Sequence, residues 1–473
     1  MESNVDNKVG NSIVRLIKRH KKVVIGSIIF ISTLLVIYIG MVIYFMNHFY
    51  FGATINNINV SGKSVEKVNK QMESVLHTYK LNLKERGNKN EQIRADEVGL
   101  KYNSDGQFKE LKNRQNPYKW ISEIFNTEVT KMKEGVKFDK QLLKQRVDML
   151  SCFDSNNIIK PKNPSFKYID NGYVIVGEVD GNKVNKDILY NHVSVAILKE
   201  VTTIDLESNN CYVKSQYTSK SEKVIRIKNM LNKYVSSKIT YTFGEDKVPL
   251  DGSTINKWFT VDENLKVTFD KKEVENYIDA LSNKYNTIGK SRNFVSSSGK
   301  TINIVGGDYG WSINSAKETN DLIIAIDEGQ TIAKEPAYNQ TALSHGNNDI
   351  GNTYVEIDLT NQYLWFYKNG SLVAEGNVVT GNVSSDHGTP GGIYKLKYKQ
   401  KDAVLRGPGY AAPVNFWMPF NGGIGIHDAS WRSQFGGKIY KTGGSHGCVN
   451  SPYYLAKVIF DNIEAGIPVI CHT

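Results

Sequence analysis

The chain has 473 residues, which at about 100–200 residues per domain is room for two to four domains. Its 40% hydrophobic and 23% charged residues are ordinary for folded protein and exclude both wholesale disorder and a polytopic membrane protein. Of the net charge of +11, Lys8, Arg15, Lys18, Arg19, Lys21 and Lys22 less Glu2 and Asp6 supply +4 before residue 23, and no basic block interleaved with aromatics follows, so nucleic acid is not an expected partner.

Residues 1–22 read as a basic cytoplasmic segment, and residues 23–45 as one spanning helix. From Val23 to Phe45 there is no charge, and 23 residues at about 1.5 Å each suffice to cross about 30 Å of hydrocarbon. A cleaved signal peptide would have a shorter apolar core and a small-residue cleavage site, which Met46-Asn47-His48-Phe49-Tyr50-Phe51 does not offer. Arg15, Lys18, Arg19, Lys21 and Lys22 crowd the N-terminal side, so the positive-inside rule puts the N-terminus in the cytoplasm and the rest of the chain outside.

Two exported segments share one pattern at a constant offset of 131 residues. Val136-Lys137-Phe138-Asp139-Lys140 with Leu143, Val147, Asp148 and Leu150 matches Val267-Thr268-Phe269-Asp270-Lys271 with Val274, Ile278, Asp279 and Leu281. Each copy predicts a short strand ending in Phe-Asp and then an amphipathic helix, the sign of a duplicated module. Gly99-Leu100-Lys101-Tyr102-Asn103 echoes Gly310-Trp311-Ser312-Ile313-Asn314, and Ser64 opens another helix with Val65, Val68, Met72, Val75 and Leu76 on one face. Two α+β modules are expected, 52–208 and 209–340. Neither concentrates His, Cys and carboxylates, so the choice for them lies between wall binding and spacing.

Ser344-His345-Gly346-Asn347-Asn348-Asp349 is short, polar and turn-prone, and the last domain is expected over 351–473. Tyr354–Asp358, Gln362–Tyr367, Leu372–Ala374 and Asn377–Thr380 are aromatic and β-branched runs between turns, a β-meander. One helix follows, with Ser451 as its cap, Pro452 in its first turn, Leu455, Val458, Ile459 and Asn462 on one face, and Gly466 beyond its end. The fold class is multidomain α+β with a mainly-β C-terminal domain.

Four cysteines, Cys152, Cys211, Cys448 and Cys471, show no CxxC and no zinc-like spacing, and a Cys152–Cys211 disulfide stays open. Cys448 stands out. It follows the Gly443-Gly444 turn in Ser445-His446-Gly447-Cys448-Val449-Asn450, just before the helix, where a helix N-terminus and an imidazole favour a thiolate and glycines let backbone N–H groups reach a reacting carbonyl oxygen. Upstream, the apolar strand Gly422-Gly423-Ile424-Gly425-Ile426-His427 ends in a histidine placed as a general base.

His427, a spacer of 17 residues and then SHGCVN resemble the L,D-transpeptidase (YkuD-type) catalytic domain. The resemblance extends over 351–473 through Gln362-Tyr363-Leu364, Val379-Thr380-Gly381 and Thr389-Pro390-Gly391-Gly392-Ile393-Tyr394. It implies a β-sandwich-like fold and acyl transfer on cell-wall stem peptides. Cys448 would attack the carbonyl of the third stem residue, the terminal D-alanine would leave, and an amine of a neighbouring stem would resolve the thioester into a 3-3 cross-link, with no metal or organic cofactor. It further implies His427 as base, the backbone carbonyl of Asp428 orienting it, and His446 and the backbone N–H groups of Gly447 and Cys448 at the acyl site. Ser445 and Asn450 would shape the loop, and His387, Trp431 and Tyr440 are candidate substrate contacts. For the two aromatics core packing is the stronger expectation; for His387 a structural loop role weighs equally.

The exported modules resemble the wall-binding region that precedes this domain in Gram-positive bacteria, in Ile55-Asn56-Asn57-Ile58-Asn59-Val60-Ser61-Gly62 and Val176-Gly177-Glu178-Val179-Asp180-Gly181. Expected partners are therefore peptidoglycan stem peptides and, through the anchor, the membrane; no obligate protein partner is inferred. A sortase would need an Arg after its Cys, and none follows Arg432. Zinc on His387, His427, His446 and Cys448 fits no common spacing. Two readings stay open: an L,D-carboxypeptidase, in which water takes the acyl group, and a non-catalytic wall-binding protein.

Overall fold

The structure is a computed structural model that describes residues 18, 21–102, 106–126, 129–130, 135–345, 348–407 and 409–473. Of the basic segment 1–22 only Lys18, Lys21 and Lys22 fall among these, and Asn103, Gly346 and Asn347 lie outside them. The chain divides into two units, residues 1–163 with 178–216, and residues 164–177 with 217–473.

The first unit opens with α1 (Lys21–Asn47), long and apolar enough to cross a membrane and largely uncovered by protein along its length. Helix α2 (Val65–His77) follows, with Ser64 Oγ accepting from Lys67 N and Val68, Met72 and Leu76 turned inward. The hairpin β1 (Lys80–Lys84) and β2 (Asn90–Arg94), α3 (Lys140–Asp148), α4 (Lys186–Leu198) and β3 (Thr203–Asp205) complete the α+β body. β3 returns to run parallel beside β1, Thr203 opposite Asn82. Leu81, Leu83, Ile93, Leu143, Val147, Leu189, Val193 and Ile197 share its core.

The second unit repeats this order. Helix α5 (Glu222–Val235), the hairpin β4 (Lys238–Phe243) and β5 (Asp246–Leu250), α6 (Lys271–Tyr285), α7 (Ser315–Glu328) and β6 (Thr331–Lys334) follow one another, and β6 returns parallel to β4, Thr331 opposite Lys238. The Phe-Asp signature has a structural cause: Asp139 and Asp270 are the N-caps of α3 and α6, their carboxylates accepting from the first-turn amides Gln141 and Leu142, and Lys272.

Residues 164–177 depart from the expected 208/209 boundary. The hairpin of Ser165–Ile169 and Gly172–Val176 belongs to the second unit, where Tyr173 N donates to Asn232 Oδ1 of α5 at 2.6 Å and Phe166, Tyr168, Tyr173 and Ile175 join the second core. Its aromatic and β-branched alternation gives it an apolar face to bury.

The corresponding hairpin of the second module, Arg292–Val295 with Thr301–Ile304, packs on the C-terminal domain. Phe294, Ile304 and Tyr309 cluster with Ile350, Ile393 and Ile470. Ser297 binds the buried Glu356 through N (2.9 Å) and Oγ (2.6 Å), and His472 Nε2 holds the same carboxylate at 3.0 Å. Arg292 Nε and Nη2 grip Asp349 at 2.7 and 2.9 Å, both residues nearly inaccessible to water. The second module and the C-terminal domain therefore share a dry, ion-paired joint.

The C-terminal domain is a sandwich of two sheets. β7 (Tyr354–Asp358), β8 (Tyr363–Lys368), β9 (Ser371–Asn377), β10 (Gly392–Lys395) and a final strand form one, ordered β9-β8-β7-final-β10. β11 (Gln400–Gly407), β12 (Tyr410–Asn421), β13 (Ile424–Asp428) and β14 (Val449–Ser451) form the other, in that order. α8 (Tyr453–Asn462) and the final strand, β15 (Pro468–His472), end the chain. Val355, Phe366, Met418, Phe420, Ile426, Val449, Leu455, Ile459 and Val469 interlock between the sheets and α8.

Two local expectations change here. Ser451 does not cap the helix: it is the last residue of β14, and Pro452 occupies the N-cap of α8 without a side-chain cap bond. Strand β14 thus separates Cys448 from the helix N-terminus, whose field falls off within a turn, so it does not favour the thiolate. The four cysteines are free, Cys152 and Cys211 included.

Candidate active site

β13 and β14 run parallel with Ile426 opposite Val449 and His427 opposite Asn450. Ile426 and Val449 both enter the sandwich core, so strand alternation turns their neighbours His427 and Cys448 to the other face. There Cys448 packs against the cluster of Ala403 of β11 with Val414 and Trp417 of β12, the last with its ring centre 6.0 Å from that of His427. Gly425, two residues before His427, makes this possible: a Cβ on it would stand 2.7 Å from Trp417 Cη2 and 2.7 Å from the Met418 carbonyl.

His427 is only 3% exposed, and its Nδ1 lies 2.9 Å from the Asp428 carbonyl oxygen. A carbonyl can only accept, so Nδ1 carries the proton and Nε2 keeps the lone pair. The Asp428 carboxylate is used elsewhere, accepting from Asn415 N (2.8 Å), Asn415 Nδ2 (2.7 Å) and Phe416 N (2.8 Å). Burial holds the His427 pKa below its ordinary value, outweighing the bond to Asp428.

The Cys448 thiol is half-buried, 3.5 Å from the Gly423 carbonyl. Burial pushes its pKa up, opposed by a hydrogen bond from the Gly425 backbone. Both shifts favour the uncharged forms, a protonated thiol and a neutral imidazole.

Ser445 Oγ closes the loop, donating to the Cys448 carbonyl at 2.5 Å and accepting from Gly447 N at 3.1 Å. The Gly447 N–H, one of the two expected oxyanion donors, is thus engaged within the loop. A second loop braces the first: Thr389 Oγ1 donates to the Gly447 carbonyl at 2.6 Å and accepts from Gly381 N at 3.0 Å, while Asn382 N donates to the Ser445 carbonyl at 2.8 Å. Gly381 leaves no room for a side chain, since a Cβ would stand 1.9 Å from the His387 carbonyl oxygen. Through this bracing the exposed rings of His387 and His446 come to 4.7 Å, tilted at 45°.

The remaining expected residues divide. Asn450 is buried beside His427 in the register, its Oδ1 without a hydrogen-bond partner. Trp431 is 53% exposed with its ring 5.8 Å from that of His427, so core packing, the stronger expectation for it, does not hold: it stands at the mouth of the site. Tyr440 is half-buried at the start of the turn Tyr440–Gly443. Sequence reasoning missed Trp417, Gly425 and the bracing role of Thr389. The glycine alternating with isoleucine in Gly423-Ile424-Gly425-Ile426 was the available signal for close approach on the His427 face.

Among the described residues one cluster has ligand atoms close enough to share a metal ion, Glu85, Glu91 and Cys152 in the first unit, and it is far in sequence from this site. Glu85 there is pushed up to about 7 by burial and by Glu91.

Residues 352–471 match the family model of the L,D-transpeptidase catalytic domain, and residues 91–205 and 217–333 match one described as "Putative peptidoglycan binding domain". A crystal structure of an Enterococcus faecium L,D-transpeptidase mutant is 34% identical over 52% of this chain and 98% of that one, with a TM-score of 0.45. The catalytic domain of E. faecium L,D-transpeptidase acylated by ertapenem is 41% identical over 26% of this chain and 98% of that one, with a TM-score of 0.24. No curated protein matches the chain.

Proposed function

Because the chain belongs to the L,D-transpeptidase family, we propose that it is a membrane-anchored enzyme that builds 3-3 cross-links between peptidoglycan stem peptides through a thioester on Cys448. The observation that carries this reading is the Nδ1 bond from His427 to the Asp428 carbonyl, which leaves Nε2 as a proton acceptor on the face that Cys448 shares.

In the first half-reaction the Cys448 thiol proton passes to His427 Nε2 as the sulfur attacks the carbonyl carbon of the third stem residue. The tetrahedral oxyanion needs donors. Gly447 N–H serves once substrate displaces its bond to Ser445 Oγ, at a cost of about 1 kcal/mol or more. The carbon–nitrogen bond to D-alanine then breaks, and the imidazolium returns its proton to the leaving amine. In the second half an amine of a neighbouring stem attacks the thioester, His427 takes its proton, and the thiol is restored. No step calls for a metal or an organic cofactor.

Asn450, Ser445 and Thr389 hold the loop; His446, His387, Trp431 and Tyr440 line the way in. The two repeated modules bind the wall, the alternative being a spacer, and α1 anchors the chain with its N-terminus inside and the catalytic domain outside. The test is the full chain incubated with disaccharide-tetrapeptide and read by mass spectrometry. A dimer formed with loss of D-alanine supports transpeptidation, tripeptide alone assigns hydrolysis, and no turnover with no ertapenem adduct on Cys448 overturns the enzyme reading.

A further inference from the structure

The two modules differ in the length of one stretch. Asn82 and Asp139 stand 57 positions apart in the first, whereas their counterparts Lys238 and Asp270 stand 32 apart in the second. The surplus falls between β2 and α3 and includes the turns Pro117–Lys119 and Trp120–Glu123. These turns lie against the outer half of α1: Tyr38 Oη donates to the Tyr118 carbonyl at 2.9 Å, and the Trp120 ring lies 6.2 Å from the rings of both Tyr38 and Phe45. Just past α1, Tyr50 Oη donates to the Asn116 carbonyl at 2.5 Å. Val42 and Phe45 are buried while Ile39 and Ile43 are exposed, so only one face of the helix is covered.

The insertion also carries apolar side chains that the protein leaves uncovered. Tyr118, Ile121, Ile124 and Phe125 are 62, 51, 42 and 87% exposed, a concentration of large apolar side chains that water does not favour. Its depth follows from the helix. A hydrocarbon core of about 30 Å entered at Val23 takes up about 20 residues at about 1.5 Å each, which sets its outer edge near residue 43. Tyr38 lies about 7 Å beneath that edge, and the chain bonded to it lies at the same level.

We propose that residues 117–125 form a foot immersed in the outer leaflet of the bilayer that α1 crosses, with Tyr118, Trp120, Ile121, Ile124 and Phe125 in the acyl boundary. The proposal rests on the reading of α1 as a spanning anchor. The residue types fit: Tyr and Trp concentrate at membrane interfaces, and exposed Lys119 reaches outward to phosphates along its aliphatic stem. The foot fixes the first module against the membrane surface by a second contact, so the anchor is not a free swivel.

The test uses the full chain reconstituted in vesicles of phosphatidylcholine and phosphatidylglycerol, with p-benzoyl-phenylalanine replacing Phe125, Ile37 or Asn156 in turn. Irradiation is expected to give lipid adducts at 37 and 125 and at least tenfold less at exposed, polar Asn156. Adducts at 37 but not 125 overturn the foot and leave the anchor standing; no adduct at either overturns both. A covalent dimer from position 125 assigns this face to a second copy and overturns the proposal, as does equal lipid labelling at 125 and 156.

Discussion

His427 is oriented by the carbonyl of its own neighbour, Asp428, across 2.9 Å, while the Asp428 carboxylate turns away to hold three donors on β12. One residue thus separates two tasks between its main chain and its side chain. Asp428→Asn is expected to keep kcat within a few-fold while costing about 1–3 kcal/mol of stability, because only the buried carboxylate network is altered. His427→Ala should lower kcat by about 10²–10⁴, and Cys448→Ala should abolish turnover with the fold intact. Paired turnover and thermal melts check the contrast.

The pH dependence carries a sign. His427 has a folded pKa depressed below 6.5, so the unfolded chain binds the extra proton first as pH falls. Its contribution to stability is complete above 6.5 and is lost as pH falls from there through the folded value. The melting temperature should therefore drop through that window, and His427→Gln should flatten the drop. The acidic limb of kcat/KM is expected below pH 6.5 for the same reason.

Gly381→Ala places a methyl group against the His387 carbonyl and cannot relax without moving both loops. A loss of about 1–3 kcal/mol is expected, together with at least a tenfold fall in kcat/KM. Circular dichroism at 25 °C should remain native, since the strain is confined to the loop pair.

The joint between the second module and the catalytic domain depends on Arg292 and Asp349. Arg292→Met alone leaves a buried carboxylate without its charge partner and is expected to cost about 3–5 kcal/mol, whereas Arg292→Met with Asp349→Leu should recover most of that loss. Denaturant melts of the two variants give the comparison.

Trp431, at the mouth, is expected to bind substrate. Trp431→Ala should raise KM several-fold, leave kcat nearly unchanged and leave the melting temperature unmoved, because the ring is more exposed than buried.

What could be read in the sequence followed from local rules. The Phe-Asp repeat marked two capped helices because an Asp N-cap is a local interaction, and the uncharged run before Phe45 marked a helix by length alone. The Ser451 cap failed because its strand pairing with Asp428 across β13 and β14 is a long-range contact that overrides a local preference. Trp417 lay hidden for the same reason: nothing near it in sequence tells that β12 brings it beneath a cysteine 31 positions later. The hairpins passed unread as joints because their apolar faces declare burial without declaring the partner.

The raised pKa of Cys448 has a consequence for the chemistry of its surroundings. Peroxide and disulfide exchange select thiolates, so a sulfur that stays protonated between turnovers reacts slowly with both. On the extracellular placement proposed above, where reductants are scarce, that quiescence would preserve the protein through idle periods, and the thiolate would exist mainly while a substrate occupies the site.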